Sequence, residues 1–98
     1  MNRIREAMVS VIVPVYNDGR YIEECARSVL DQTFRHLELV IVDDASTDGT
    51  GQILEGISER DERVSVLRNR TRQGIAVSRN RAFSISGGEY IAILDSDD

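Results

Sequence analysis

Four short runs of apolar residues, rich in valine and isoleucine, recur along the chain. They are MVSVIVPV (8–15), LELVIV (37–42), RVSVLR (63–68) and EYIAIL (89–94). Near-continuous apolar runs of this length are typical of strands buried on both faces, as in a parallel sheet. We therefore predict a β-strand over each run.

The segments between these runs, at 19–33, 48–60 and 74–86, have the length and apolar spacing of helices. The positions predicted to face the core are Ile22, Ala26, Val29 and Leu30 in the first, Ile53, Leu54 and Ile57 in the second, and Ile75, Ala82 and Ile85 in the third. The candidate helix-capping residues are Asn17 or Asp18 for the first and Ser46, Thr47 or Asp48 for the second. Gly87-Gly88 is expected to stop the third helix.

The predicted order is therefore β-α-β-α-β-α-β with short connections. Such alternation indicates right-handed crossovers and a Rossmann-like, doubly wound α/β fold, with helices on both faces of a parallel sheet of about four strands. In such sheets ligands bind beyond the carboxyl ends of the strands. The candidate chemistry should therefore lie at the strand tips.

All four strand tips are polar: they read PVYN, DDAS, RNRTRQG and DSDD along the chain. One edge of the sheet would then carry an aromatic ring, two acidic pairs and several arginines. Carboxylates gathered in this way repel one another unless a cation or hydrogen-bond donors compensate their charge. The arrangement indicates a ligand site.

Each candidate also has a purely structural interpretation. Asp43 and Asp44 could cap the next helix, and Tyr16 could be a half-buried ring with a wet hydroxyl. Tyr16, close to Pro14 on a strand tip, also suits a flat platform for a nucleobase. Arg79 could be an ordinary solvated charge, or it could meet a phosphate near the amino end of its helix.

Asp95 and Asp97 flank Ser96 directly after the fourth strand. Alternate residues of an extended segment point the same way, so the two carboxylates could converge on one hard cation. A lone DxD is a weak signal, but its shared edge with a second acidic pair and an aromatic ring strengthens it.

Composition narrows the classes of function. The 98-residue chain has a net charge of −5, which argues against a nucleic-acid surface. All 12 basic residues are arginine, and the absence of lysine removes P-loop and Schiff-base chemistry. Cys25 is the only cysteine, so an internal disulfide is excluded. No apolar run reaches membrane-spanning length, and a cytoplasmic chain is expected.

Two blocks, VSVIVPVYND…YIEECARSVLDQTF…LELVIVDDASTDGT and NRTRQGIAVSRNRAFSISGGEYIAILDSDD, resemble the nucleotide-sugar-binding half of family 2 glycosyltransferases with the GT-A fold. The resemblance runs from Val9 onward and implies the strand order 3-2-1-4. It also implies that Asp95 and Asp97 form a DxD motif holding a divalent metal, Mn²⁺ or Mg²⁺, against the diphosphate.

The same resemblance implies the remaining site residues. Pro14 and Tyr16 would line the base pocket, and Asp44 would accept a hydrogen bond from the base. Asp43 would support the site near the ribose, and Arg79 would lie near the diphosphate or sugar. The chain departs from the family in SRN for the commoner ARN and in the basic stretch RTRQG.

The resemblance further implies that family members continue past the DxD with an acceptor-binding half that holds the general base. Residues 1–98 are thus interpreted as a donor-binding half without a catalytic residue, binding a nucleotide-diphosphate sugar (a UDP-sugar foremost) by itself. In a longer protein, active at the cytoplasmic face of the membrane, the sugar would pass with inversion to a glycan or lipid-linked acceptor. A homo-oligomer is expected, because the fourth strand would expose an edge.

Three alternatives stay open at this point. The chain could be a non-catalytic nucleotide-sugar-binding or regulatory module. A phosphoacceptor receiver domain fits VIVDDAS but needs a lysine that this chain lacks, and a nicotinamide-binding domain fits the sheet but needs a G-x-G-x-x-G after the first strand.

Overall fold

The computed structural model describes residues 8–31 and 36–94 of the chain. The strands are β1 (Val9–Val15), β2 (Leu37–Asp43), β3 (Val64–Arg68) and β4 (Tyr90–Ile93). The helices are α1 (Gly19–Leu30), α2 (Thr50–Arg60) and α3 (Ile75–Ile85). Every predicted element is present, and the boundaries differ from the predictions by no more than a few residues at each end.

The strands form one parallel sheet in the order β3-β2-β1-β4. This confirms the predicted order. In the registers, Val9 pairs with Leu37 of β2 and with Tyr90 of β4, and Asp43 pairs with Arg68 of β3. The carboxyl ends of the two central strands therefore meet at one edge, where the residues after β1, β2 and β3 share a surface.

Two apolar layers cover the sheet, as alternating strand residues require. The larger layer lies between the sheet and helices α1 and α2, and Val13, Leu39, Ile22 and Leu54 are among its buried members. The smaller layer lies on the other face under α3, and its buried members are Ile12, Val40, Val42 and Ala82. Helices thus cover both faces, as predicted.

Helix α3 departs from the predicted apolar stripe. Ile75 and Ile85 are 56% and 48% exposed, and only Ala82 of the three predicted core residues is buried. The second buried residue of α3 is Ser78, one turn before Ala82. A serine can take this position because its hydroxyl accepts a hydrogen bond from Asn69 Nδ2 at 3.0 Å.

The predicted N-cap position of α1 is confirmed, and that of α2 is wrong. Asp18, one of the two candidates, is the N-cap residue of α1, although its side chain makes no capping hydrogen bond, whereas the N-cap residue of α2 is Gly49. Asp48 instead accepts a hydrogen bond from the backbone N of Thr50, the first residue of α2, at 3.0 Å. None of the helices in the described ranges is long and apolar enough to cross a membrane.

Candidate functional site

Tyr16 follows the last residue of β1 and is 37% exposed at the carboxyl edge of the sheet. Pro14 is buried within β1, opposite Val42 of β2. Ile12 O accepts a hydrogen bond from Leu94 N at 2.9 Å, so groups two residues further along point to the same side. The missing N–H of Pro14 therefore faces the β4 side, beyond the last paired residue of β1 there, Ile12.

Asp43, the last residue of β2, is 1% exposed. Its Oδ1 accepts a hydrogen bond from Ser46 N at 3.0 Å. Its Oδ2 has no hydrogen-bond partner among the described residues, and Arg68 Nε lies 3.8 Å away. Such a buried carboxylate oxygen is costly in a fold and is a candidate acceptor for a ligand.

Asp44 is 5% exposed and accepts hydrogen bonds at both carboxylate oxygens. Oδ1 accepts from Asn69 Nδ2 at 2.8 Å and from Gln73 N at 2.7 Å, and Oδ2 from Gly74 N at 3.0 Å and Arg72 Nε at 3.4 Å. Burial raises the pKa of Asp44, but these four donors outweigh it and hold the pKa below its ordinary value. Asp44 is therefore ionised at neutral pH.

Asn69, directly after β3, holds this arrangement together. It is 3% exposed, and its amide nitrogen donates to both Asp44 Oδ1 and Ser78 Oγ. Its amide oxygen accepts a hydrogen bond from Arg81, and its backbone N donates to Asp43 O at 2.8 Å. The side chain therefore ties the tips of β2 and β3 to helix α3.

Arg72 joins the aromatic and acidic parts of the edge. Its guanidinium carbon lies 3.7 Å from the centroid of the Tyr16 ring, a cation–π contact. Its Nε lies 3.4 Å from Asp44 Oδ2. The ring of Tyr16 and the carboxylate of Asp44 are thus close enough for one planar group to contact both.

The loops after β1 and β2 are held to each other by Asn17. Its backbone N donates to Ser46 Oγ at 2.9 Å, and its Oδ1 accepts from Thr47 N at 2.8 Å. Asn17 has φ 51°, in the left-handed region where asparagine is tolerated better than most residues. This pair of hydrogen bonds explains why Asn17 does not cap α1.

The structure brings Pro14, Tyr16, Asp43 and Asp44 to the same edge, as the sequence predicts. Arg79 lies half-buried in the second turn of α3, next to Ser78. Asp95 and Asp97 lie outside the described residues, so their assignment as metal ligands stays a prediction. Within 8–31 and 36–94, no group of three or more histidine, cysteine or acidic residues could hold a metal ion.

Asn69 and Arg72 were not predicted from the sequence as site residues. Both belong to the stretch NRTRQG that follows β3, which was predicted to lie at a strand tip and was noted for its arginines, without either residue being assigned a role. Its position at a strand tip was the available signal. The contacts themselves join residues 25 and 28 positions apart, and no local pattern encodes them.

Known proteins resemble this chain over most of its length. The family model described as glycosyl transferase family 2 matches residues 10–98. The putative teichuronic acid biosynthesis glycosyltransferase TuaG of Bacillus subtilis is 50% identical over 91 residues, covering 93% of this chain and 36% of that protein. The chain therefore spans about a third of the length of this curated relative.

Two solved structures resemble the fold closely. The mannosyltransferase PcManGT of Pyrobaculum calidifontis, in complex with GDP-Man and Mn²⁺, superimposes with a TM-score of 0.84 at 35% identity. The superimposed region covers 91% of this chain and 27% of the mannosyltransferase chain. S. aureus TarS 1-349 in complex with UDP-GlcNAc superimposes with a TM-score of 0.82 at 40% identity, covering 91% and 26%. The predicted GT-A-type sheet is thereby confirmed.

Proposed function

Because this chain belongs to glycosyl transferase family 2, we propose that it binds the nucleoside diphosphate part of a nucleotide sugar. In this proposal residues 1–98 form the donor-binding half of a longer enzyme. That enzyme would pass the sugar to an acceptor hydroxyl with inversion. A glycan acceptor is supported by the teichuronic acid pathway in the name of TuaG.

The observation that carries the proposal is the shared contact of Arg72 with Tyr16 and Asp44. The guanidinium is a planar group that carries N–H donors. Its position over the Tyr16 ring, with Nε directed to Asp44 Oδ2, shows that one planar N–H donor can use both residues. A nucleobase stacked on Tyr16 and donating to Asp44 would make the same pair of contacts.

The ionised state of Asp44 restricts the base, because a carboxylate can only accept hydrogen bonds. Uracil and guanine carry an N–H within the ring beside a carbonyl. Cytosine and adenine can donate to a carboxylate only from the exocyclic amino group, and the lone pair of the adjacent ring nitrogen would then face the anionic carboxylate and repel it. UDP- and GDP-sugars are therefore the donors proposed for this chain. The ligands named for the solved relatives, UDP-GlcNAc and GDP-Man, belong to these two classes.

The metal assignment fits the chemistry of the residues present. Asp95 directly follows Leu94, and Asp97 lies two positions further on; the backbone N of Leu94 donates to Ile12 O of the central strand β1. Carboxylate oxygens are the ligands that Mn²⁺ and Mg²⁺ prefer, so these two residues would hold the ion. When bound, the metal neutralises charge on the departing diphosphate. Arg79 of α3 is proposed to serve the same diphosphate.

Calorimetric titration of the 98-residue chain with UDP, GDP and CDP in the presence of Mn²⁺ tests the base assignment. We expect UDP or GDP to bind and CDP to bind much more weakly. Tyr16→Ala should weaken binding by about 1–3 kcal/mol, the usual value of one base–aromatic stack. Tyr90→Ala removes an exposed tyrosine at the amino end of β4 and should change nothing. If wild type and Tyr16→Ala bind UDP or GDP with equal affinity, the proposal that the base stacks on Tyr16 is wrong.

A second titration tests the metal ligands. Asp97→Asn should remove the Mn²⁺ dependence of UDP or GDP binding while leaving binding of the free nucleoside largely intact. Asp98→Asn removes the neighbouring carboxylate outside the DxD and is the matched control. If the Mn²⁺ dependence persists in Asp97→Asn and disappears in Asp98→Asn, the assignment of Asp97 as a metal ligand is wrong and Asp98 is the ligand instead. A radiochemical assay should detect no sugar transfer by residues 1–98, since the general base is proposed to lie in the acceptor half.

A further inference from the structure

Arg72 occupies both positions that the proposed function assigns to the base. Its guanidinium covers the ring of Tyr16 at 3.7 Å, and its Nε takes one of the four hydrogen-bond positions of Asp44 at 3.4 Å. A base cannot stack on this face of Tyr16 and donate to Asp44 while Arg72 stays there.

The other three donors to Asp44 are parts of the fold. Gln73 and Gly74 donate through backbone N–H groups, at 2.7 and 3.0 Å, in the turn that begins α3. Asn69 donates at 2.8 Å from a side chain that also bonds Ser78 and Arg81. Removing any of these would disturb the junction between β3 and α3.

The contact of Arg72 is different in kind. It is the longest of the four, at 3.4 Å, and the Arg72 side chain is 58% exposed. A long, exposed arginine can leave by rotation about its own side-chain bonds. Of the four donors, Arg72 can therefore be exchanged for an incoming N–H without a change in the backbone.

We propose that Arg72 is an internal competitor for the nucleobase: it closes the base site of the empty protein and is displaced when the base binds. The inference rests on the proposed function, because it uses the same ring and carboxylate. The apparent association constant for the base is then the intrinsic constant multiplied by the fraction of molecules in which Arg72 leaves the site open. Once displaced, the guanidinium is a mobile positive charge beside the diphosphate.

Uridine is the probe that isolates this competition, because it has no phosphate for the displaced arginine to attract. Arg72→Ala should bind uridine about two- to fivefold more tightly than wild type, the size expected for one exposed cation–π contact. Arg70→Ala removes an exposed arginine of the same loop and should bind like wild type. An Arg72→Ala affinity equal to or weaker than that of wild type would overturn the proposal.

Nuclear magnetic resonance follows Arg72 in the wild-type chain itself. The ring of Tyr16 should shift the Cδ protons of Arg72 upfield, and Tyr16→Ala should abolish this shift. Saturating uridine should return these protons to the values of a solvated arginine. Protons that stay shifted, or shift further, at saturation would show that Arg72 clamps the bound base, and would overturn the competition.

The two proposals fail in distinguishable ways. If UDP, GDP and uridine bind neither wild type nor Arg72→Ala, both the proposed function and the competition are wrong. The upfield shift that the Tyr16 ring causes in the Cδ protons of Arg72 would then still be observed. If UDP binds in a Tyr16-dependent manner and Arg72→Ala gains no affinity for uridine, only the competition is wrong.

Discussion

Asp44 combines two demands in one side chain. Its carboxylate fixes the loop that leads from β3 into α3, through Asn69, Gln73 and Gly74. The same carboxylate is the proposed reader of the base. A buried anion is tolerated here because its donors are numerous and partly backbone, so the cost of desolvation is offset by charge-assisted hydrogen bonds.

The lowered pKa of Asp44 predicts an acid-sensitive fold. Its stabilising contribution is present above the ordinary aspartate pKa, about 3.9, and is lost as pH falls through the lower pKa of the folded state. Hydrogen bonds from Thr50 and Arg63 act in the same direction on the pKa of Asp48 and Asp61. We expect the free energy of unfolding to be steady between about pH 5 and 7 with respect to these groups and to fall below about pH 4.

Urea unfolding of wild type and Asp44→Asn at pH 3 and pH 6 tests this. The variant should be less stable at pH 6, by about 1–3 kcal/mol, because its amide cannot accept from all four donors. The difference from wild type should shrink at pH 3. Glu89→Gln removes an exposed carboxylate elsewhere and controls for net charge. Parallel pH curves for wild type and Asp44→Asn would contradict the linkage.

At this scale the sequence predicts residue types better than contacts. Tyr16, Asp43 and Asp44 were identified because each follows or ends an apolar strand, and parallel strands bring their tips together. Arg72 could not be identified in the same way. Its contact with Tyr16 depends on the path of the loop from 69 to 74, and that path is set by hydrogen bonds to Asp44 rather than by local propensity.

Among the elements, β4 begins at a junction that is closely fitted to the neighbouring strands. Gly88 N donates to Ser10 Oγ at 2.8 Å, and Glu89 N donates to Met8 O at 2.8 Å. Ser10 Oγ in turn donates to Glu38 of β2. These bonds connect the entrance of β4 with β1 and β2, so they set the register of the edge strand.

Gly88→Ala should therefore destabilise the fold. A Cβ at Gly88 would lie 2.7 Å from Ser10 N and 2.9 Å from Met8 O, and both atoms belong to the backbone. Overpacking of this kind costs about 1–3 kcal/mol. Gly87→Ala is the matched control, because its Cβ would meet only Met8 Cε, at an ordinary 3.6 Å.

Thermal unfolding of the two variants measures the difference. Both substitutions restrict the unfolded chain equally, so this entropy effect cancels in the comparison. A Gly88→Ala protein as stable as Gly87→Ala would show that the junction yields without cost.

Elements were predicted from period and apolar content, and this succeeds where the core decides the pattern. In α1, Ile22, Ala26 and Val29 are buried as expected. In α3, apolar residues lie around the whole helix, and the buried positions are Ser78 and Ala82. The burial of Ser78 depends on Asn69, a residue of another element, so no periodicity within α3 could reveal it.

At the scale of the whole molecule, the large apolar side chains that are most exposed among residues 8–31 and 36–94 lie on α3 and around β4. They are Ile75, Val77, Phe83, Ile85, Tyr90, Ile93 and Leu94, each at least 38% exposed. β4 is an edge strand of the sheet. Exposed apolar surface beside an open strand edge favours association.

We therefore expect the 98-residue chain to self-associate as its concentration rises. Phe83→Asp should weaken association by placing a charge on this surface, since Phe83 is 60% exposed. Ser84→Asp adds the same charge at the next position of α3 and separates the loss of the ring from the gain of charge. Sedimentation equilibrium gives the association constants. A monomer at all concentrations in wild type would contradict the expectation.

The four donors around Asp44 have a consequence for protein engineering. A designer who wishes to change the base preference would naturally begin with the residue that reads the base. In this chain a substitution of Asp44 would also destabilise the loop between β3 and α3, because Gln73, Gly74 and Asn69 all donate hydrogen bonds to its carboxylate. In the hydrogen-bond network described around Asp44, Tyr16 and Arg72 do not hold the loop between β3 and α3 in place. New donor preferences should therefore be sought by libraries at those two positions, with Asp44 held fixed.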